Sequence, residues 1–331
     1  MTAAAESALR RAEELAERVL PDRTAKKKML VVVNPYATTV SDRLKNLVVY
    51  ALQGRYDVEA IDTKAQGHAT ELCREAAEAG YDVVVAFGGD GTVNEVANGL
   101  AGTNTPITCL PGGATNVFCR TLGIPGDVVD ATEHLLLMAD AFSPRRVDTG
   151  LVNGRHFVFA SGIGLDASVV ERVDAHPYRK ARFGEWYFTW AAISSFNKTY
   201  LVKPPRMNVE VNGETVDAVT VIVQNSDPFT YFGTRPIRVC EGAGLDTGTI
   251  ALAVLRRATL LEMPTLIPRL FSGRSGTVTG HRQVQGFDPL HRFTVTSADG
   301  KALPVEADGD FLGSFEHVEY GVAPRSLAVV A

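Results

Sequence analysis

The run "VVVAFGGDGTVNEVANGL" (83–100) decides how the rest of the chain is read. Five apolar residues end at a pair of glycines, a carboxylate, a third glycine and a threonine follow, and a helical pattern begins at once. Glycine at a strand end lets the backbone come close to something or take a positive φ. A helix that starts there aims N–H groups without internal partners at the same spot, which suits an anion. Glycines alone would mark a tight strand–helix turn. A carboxylate inside an anion-binding turn is unusual, because the anion repels it unless it accepts a hydrogen bond or acts through a Mg²⁺ ion or a water. The stretch therefore reads as a nucleotide-phosphate loop, with Gly88, Gly89, Asp90, Gly91 and Thr92 at its centre.

Outward from this loop, strands and helices alternate. Met29–Val33 reads as a buried strand closed by Pro35. It is followed by a helix (Ser41–Gln53), a strand (Asp57–Ile61), a helix (His68–Ala79), the strand Asp82–Phe87, the helix after Gly91, a strand (Ile107–Leu110) and a helix from Asn116. Such alternation predicts an α/β fold with a largely parallel sheet, in which ligands bind beyond the carboxyl ends of the strands. Asn34-Pro35, Thr63, Gly88–Thr92 and Pro111–Asn116 all fall at such ends. Beyond about Arg146 the pattern changes to short strand-like runs between Gly, Asn and Asp, which is antiparallel β character. "VNGE" (211–214) and "ADGK" (298–301) read as hairpin turns. Two helical stretches interrupt the strands, an aromatic-rich one (Phe183–Tyr200) and one from Leu260 to Phe271, the second read as a core helix.

Composition narrows the function classes. The chain has 331 residues, enough for two domains, with 45% apolar and 21% charged residues. A net charge of −5 gives no footprint for nucleic acid. The four cysteines are scattered and form no metal-ligand spacing. No apolar run reaches the ~18 residues of a membrane span, and the N-terminus lacks a signal core. "AESALRRAEELAERVL" (5–20) is instead an amphipathic helix of mixed charge, suited to packing on its own body, on a partner or on a membrane.

"GGDGTVNEVANGL" resembles the signature of the diacylglycerol kinase catalytic domain family, to which bacterial lipid kinases, sphingosine kinases and ceramide kinases belong. Other elements of that family follow in order. Asn34-Pro35 and "TKAQGHA" (63–69) resemble its first two nucleotide motifs, "LPGGATNVFCRTLGIP" (110–125) its "LPxGTxNxFAR" element, "GIGLDASVV" (162–170) the start of its second domain, and "ADGDFLG" (307–313) its C-terminal "DGE". The resemblance spans roughly 29–331.

It implies an α/β ATP-binding domain (29–146 plus about 320–331) after an amphipathic helix and basic linker (1–28). A β-rich, antiparallel, sandwich-like lipid-acceptor domain (147–319) would follow, with the C-terminal strand returning to the first domain and the lipid entering between the two. The substrates implied are ATP with Mg²⁺ and a lipid hydroxyl, most directly that of diacylglycerol. The expected setting is the cytoplasm with transient docking on a membrane surface, and a homodimer is compatible with it.

By this resemblance Asn34, Pro35, Tyr36, Thr63, Gly88, Gly89, Asp90, Gly91, Thr92, Asn94, Glu95 and Asn116 line the nucleotide. Asp166 meets the acceptor head group. Asp310 matches the family's proton-accepting glutamate, with Asp90 the competing base. Asp246 is the candidate ligand of a structural magnesium. Four departures stand against the pattern: "NPYAT" (34–38) lacks a phosphate-loop glycine, Ala114 replaces threonine, Thr247 stands where an aspartate precedes glycine, and Asp310 replaces glutamate. Two rival readings remain, a kinase of a soluble substrate in the manner of NAD kinases, and a nucleotide- or lipid-binding protein without turnover.

Overall fold

A computed structural model describes residues 26–37, 40–164, 204–259 and 262–331. The N-terminal amphipathic helix, the aromatic-rich stretch 183–200 and Asp166 lie outside the described residues. The chain forms two compact units, 1–146 with 326–331, and 147–325.

In the first unit, β1 (Lys27–Val33), α1 (Asp42–Gln53), β2 (Tyr56–Asp62), α2 (His68–Glu78), β3 (Val83–Gly88), α3 (Asp90–Leu100) and β4 (Ile107–Pro111) build a parallel sheet in the order β2-β1-β3-β4. All six residues of β3 are buried, as expected of a strand covered on both faces. Right-handed crossovers put α1 and α2 on opposite faces. Accordingly α1 packs with α5 (Val128–Met138), and α2 packs with α3. The short α4 (Val117–Thr121) packs on β4 and α3. The end of the chain returns to this unit. Val329 pairs in parallel with Ile107, Val330 N–H donates to Ile107 O (3.0 Å), and Gly102 N–H donates to Ser326 O (2.8 Å).

Helix α5 has no counterpart in the sequence reading, although its signal is local. Asp127 caps it by accepting hydrogen bonds from Val129 and Asp130 N–H, and Val128, Ala131 and Leu135 recur at helical spacing.

The second unit is an antiparallel sandwich. One sheet runs β14 (Val284–Leu290), β13 (Ile250–Leu255), β10 (Thr220–Gln224), β7 (Ala160–Ile163), β16 (Leu303–Ala307), β17 (Asp310–Phe315). The other holds β18 (His317–Val329), β15 (Arg292–Ser297), β8 (Met207–Val211) and β9 (Glu214–Ala218), with β5 (Arg145–Val152) beside β18 and β6 (Arg155–Phe157) beside β5. Strand β13 shows how the sequence builds two cores at once. Ile250, Leu252 and Val254 face the sandwich interior with Val221, Val295 and Val305. Ala251, Ala253 and Leu255 face a second core under α6 (Met263–Leu270). The two-residue side-chain period of a strand makes this division.

Asn212 and Gly213 (φ 51° and 82°) form the hairpin between β8 and β9. "ADGK" is not a hairpin. It joins β15 to β16, which belong to different sheets, so a turn sequence of hairpin type here carries the chain across the sandwich. Helix α6 covers the second core, as the core reading expects, but only with one side. Leu266 is buried, whereas Ile267 and Phe271 are 53% and 45% exposed.

Candidate active site

Strands β1, β3 and β4 end side by side, and their loops are locked together by their own side chains. Asn34, just past β1, accepts a hydrogen bond from Tyr36 N–H on Oδ1 (3.0 Å) and donates from Nδ2 to Thr92 Oγ1 (3.1 Å) in α3. Gly112 N–H donates to Gly88 O (2.8 Å). A Cβ on Gly112 would lie 2.8 Å from the Gly88 Cα, and one on Gly113 would lie 2.8 Å from the Gly89 Cα. Only glycine allows this approach of the two loops. Asn116, at φ 47°, folds the second loop onto itself. Its Oδ1 accepts from Gly113 N–H (2.9 Å) and its Nδ2 donates to Gly113 O (2.7 Å).

Asp90 joins the loops from the other side. One carboxylate oxygen accepts from the Thr115 hydroxyl (2.8 Å), and the other from Val117 N–H (2.7 Å) at the start of α4. It therefore caps a helix that is not its own, which gives the carboxylate in this turn a structural task. Although the residue keeps some surface, its carboxyl group is densely surrounded. Burial pushes its pKa up, against hydrogen bonds from Thr115, Val117 and Phe118 that pull it down. Glu95 does similar work one turn on. It accepts from Gly67 N–H (2.8 Å) and Ala69 N–H (3.1 Å), capping α2. Asn94 is fully buried, with its Oδ1 bonded by Asn98.

The side chains of Asn34, Asp90, Glu95 and Asn116 thus shape the loops. What the loops offer a ligand is backbone, the first-turn N–H groups of Gly91 and Thr92 at the head of α3, where a helix has no internal acceptor. Thr63 N–H is taken by Val33 O (2.8 Å). Tyr36 is 85% exposed beside Pro35. A hollow of about 310 Å³ at this edge is lined by Val33, Pro35, Val40, Ser41, Asp42 and Lys45. A larger one of about 470 Å³, at Lys26, Gln53 and Tyr56, lies at the amino ends of β1 and β2, the wrong end for a ligand of a parallel sheet.

In the second unit, Asp310 opens β17 after a turn with positive φ at Asp308 and Gly309 (50° and 82°). Taken alone, Asp308-Gly309-Asp310 reads as a surface turn, and only the family resemblance makes it a site. The turn is neither loose nor superficial. Asp308 is 1% exposed, and its carboxylate accepts from the N–H groups of Val158 (2.7 Å), Phe159 (2.9 Å) and Ala160 (3.2 Å). Glu306, also buried, accepts from Gly309 N–H (3.0 Å). Two buried carboxylates thereby fix the turn that presents Asp310, while Asp310 itself stays partly exposed.

The surroundings of Asp246 do not fit a resident cation. The Thr247 hydroxyl fills the loop, 3.0 Å from Gly244 O and 3.1 Å from Thr249 O, with Thr249 N–H at 3.4 Å. The buried Asp148 carboxylate, the nearest alternative, is spent on Gly248 N–H (2.6 Å) and Arg325 N–H (2.7 Å). Asp246 points to an exposed surface, and among the described residues no three His, Cys, Asp or Glu side chains gather. A hard cation is held by carboxylates together with carbonyls and waters, and Asp246 offers this loop a single, exposed carboxylate. Without nucleotide, EDTA and Mg²⁺ should leave the melting temperature of the wild type unchanged. The substitution Thr247→Asp should create a Mg²⁺-dependent rise on the order of 2 °C in differential scanning fluorimetry. A wild-type melting point that falls in EDTA defeats this reading.

The family profile described as "Diacylglycerol kinase catalytic domain" matches residues 28–150, and "YegS C-terminal NAD kinase beta sandwich-like domain" matches 160–331. A diacylglycerol kinase of Staphylococcus aureus is 34% identical over 244 residues, covering 72% of this chain and 73% of that protein. A Chromohalobacter salexigens protein named "Probable lipid kinase YegS-like" is 28% identical over 261 residues, 74% of each. A crystal structure from Bacillus anthracis superposes with a TM-score of 0.72 at 26% identity, covering 93% of this chain and 96% of that one. With the second profile spanning more than half of the sequence, the chain belongs to the diacylglycerol kinase and YegS-like family of lipid kinases.

Proposed function

We propose that the chain transfers the γ-phosphoryl group of MgATP to the hydroxyl of a lipid, with diacylglycerol the leading acceptor and phosphatidic acid the product. The observation that carries this reading is the pair of interlocked loops, Gly88–Thr92 against Gly112–Asn116, which leaves backbone N–H groups open at the head of α3. Phosphoryl transfer asks for positioning and charge stabilisation more than for covalent chemistry. Rigid loops with N–H groups already aimed provide both without reorganisation at the moment of reaction. Mg²⁺ arrives with ATP as its counterion. Asp90 keeps the two loops in register. Asp310 takes the proton of the attacking hydroxyl, within ~3 Å or through one water. Asp166 is assigned to the acceptor head group on the family resemblance alone.

Among the described residues no helix is long and apolar enough to cross a membrane. The test is incubation with γ-labelled ATP and a total lipid extract, followed by identification of the labelled product. Phosphatidic acid is the expected product. A different phospholipid retains the kinase and changes the acceptor. Label on NAD in a parallel reaction, with none in lipid, would show a soluble-substrate kinase. Bound ATP with no labelled product would show a protein without turnover.

A further inference from the structure

Helix α6 and the hairpin of β11 (Thr230–Phe232) and β12 (Arg235–Ile237) meet in one surface layer. The inner side of this layer is apolar and buried, with Leu266 and Ile237 packed on Val239, Leu255 and Val278. The outer side is apolar as well. Phe232 is 44% exposed, Ile267 53% and Phe271 45%, and the two phenylalanine rings meet edge-on with centroids 5.5 Å apart. Helix and hairpin are pinned together, since Arg238 donates to Gly273 O (2.8 Å) while paired with Asp227. An aromatic pair held in place and turned outward gains nothing for folding on that side.

Exposed arginines flank it. Arg235 pairs in the ladder with Phe232, and Arg274 follows Phe271 by three residues. Both are exposed, and neither forms an ion pair among the described residues. Of the acids nearby, Asp227 is paired with Arg238 and Glu262 with Arg282, while Glu241, beside Gly276, accepts from the Thr279 hydroxyl (3.3 Å). The overall charge of the chain is −5, so a local surplus of arginine beside exposed aromatics is not a reflection of composition. Aromatic and aliphatic groups flanked by arginine match the boundary between acyl chains and anionic headgroups of a bilayer.

We infer that this face docks the protein on an anionic lipid surface, Phe232, Ile267 and Phe271 entering the headgroup boundary while Arg235 and Arg274 meet lipid phosphates. The inference rests on the lipid-kinase reading for its purpose, and its test is separate from that reading.

The full-length chain is sedimented with vesicles of phosphatidylcholine alone and of phosphatidylcholine with phosphatidylglycerol. Wild type should favour the mixed vesicles. The double variant Ile267→Ser, Phe271→Ser should lose at least ~10-fold in vesicle affinity. The pair Arg235→Glu, Arg274→Glu should abolish the preference for phosphatidylglycerol. Both variants should keep the wild-type melting temperature and the wild-type rate on a detergent-dispersed acceptor. Vesicle binding unchanged in both variants overturns the proposal. So does a change in oligomeric state of the variants in light scattering without vesicles, which would make the face a contact between copies of the chain. Loss of vesicle binding with no lipid phosphorylated by any form keeps the docking face and defeats the kinase reading instead.

Discussion

Asparagine at position 310 is expected to lower turnover on a lipid acceptor at least ~10²-fold while nucleotide affinity stays close to wild type. The amide keeps the shape of the side chain and loses the ability to take a proton. The backbone of Asp310 is held where it is by neighbours that the substitution leaves alone. Asp308 receives three N–H groups ahead of β7, and Glu306 receives Gly309 N–H. A drop in kcat with little change in melting temperature would therefore report on chemistry and not on folding. Asp310→Glu should retain substantial activity, because related enzymes by resemblance carry the longer acid at this point.

Changing Asp308 should look different. An alanine there strands three buried N–H donors at about 1–3 kcal/mol each at most, so the melting temperature should fall along with activity. The decisive comparison is kcat and KM of Asp310→Asn against wild type across pH on a detergent-dispersed acceptor. If the two profiles coincide at every pH, Asp310 is a turn residue and the proton leaves by another route.

How much of this was legible in the sequence follows from how far apart the partners lie. The alternation of strands and helices, the strand-to-helix turn at 88–92 and the antiparallel second half are patterns of a few residues, and the local sequence reports them well. The partners of the conspicuous polar residues are not local. Asp90 finds Thr115 and Val117 25 and 27 positions away, Glu95 finds Gly67 at 28, and Asp308 finds Val158 at 150. A single sequence shows that such residues are unusual without showing what they hold. That is why Asn116 reads toward the nucleotide while the structure commits its side chain to the Gly113 backbone, whereas Glu95, whose place in the helix also suits orienting a loop, does so by accepting from Gly67 and Ala69 N–H. "ADGK" failed for a related reason. A turn sequence fixes backbone angles at Gly300, but the sheet that receives the next strand is set by packing. Helix α5, by contrast, has a local signal in its Asp127 cap.

The second large effect is expected at Asp90, and it tests whether the loop lock carries catalysis. Both oxygens of the carboxylate are used, so asparagine can keep only one acceptor and turns its amide N–H₂ toward the Thr115 hydroxyl or the Val117 N–H. Asp90→Asn should cut kcat/KM for ATP at least ~10²-fold, comparable to removing a key electrostatic group, since small displacements of a positioned loop are costly in rate. Thr115→Ala removes one of the same hydrogen bonds and keeps the charge. Its effect should be only a few-fold, the kinetic equivalent of about 1 kcal/mol. The pH dependence separates the two further. Burial raises the Asp90 carboxyl, so the folded protein holds that proton more tightly than the unfolded chain does. The resulting stabilisation is complete below the ordinary carboxylate range and is lost as pH rises through the folded value. Asp90→Asn lacks this titration. The excess of the wild-type melting temperature over that of the variant should therefore narrow as pH rises through that range, whereas the difference between wild type and Thr115→Ala should not follow the same course. Near-wild-type kinetics in Asp90→Asn would mean that the interlocked loops tolerate the loss of their shared carboxylate, and the phosphate site would then have to depend on the glycine contacts alone.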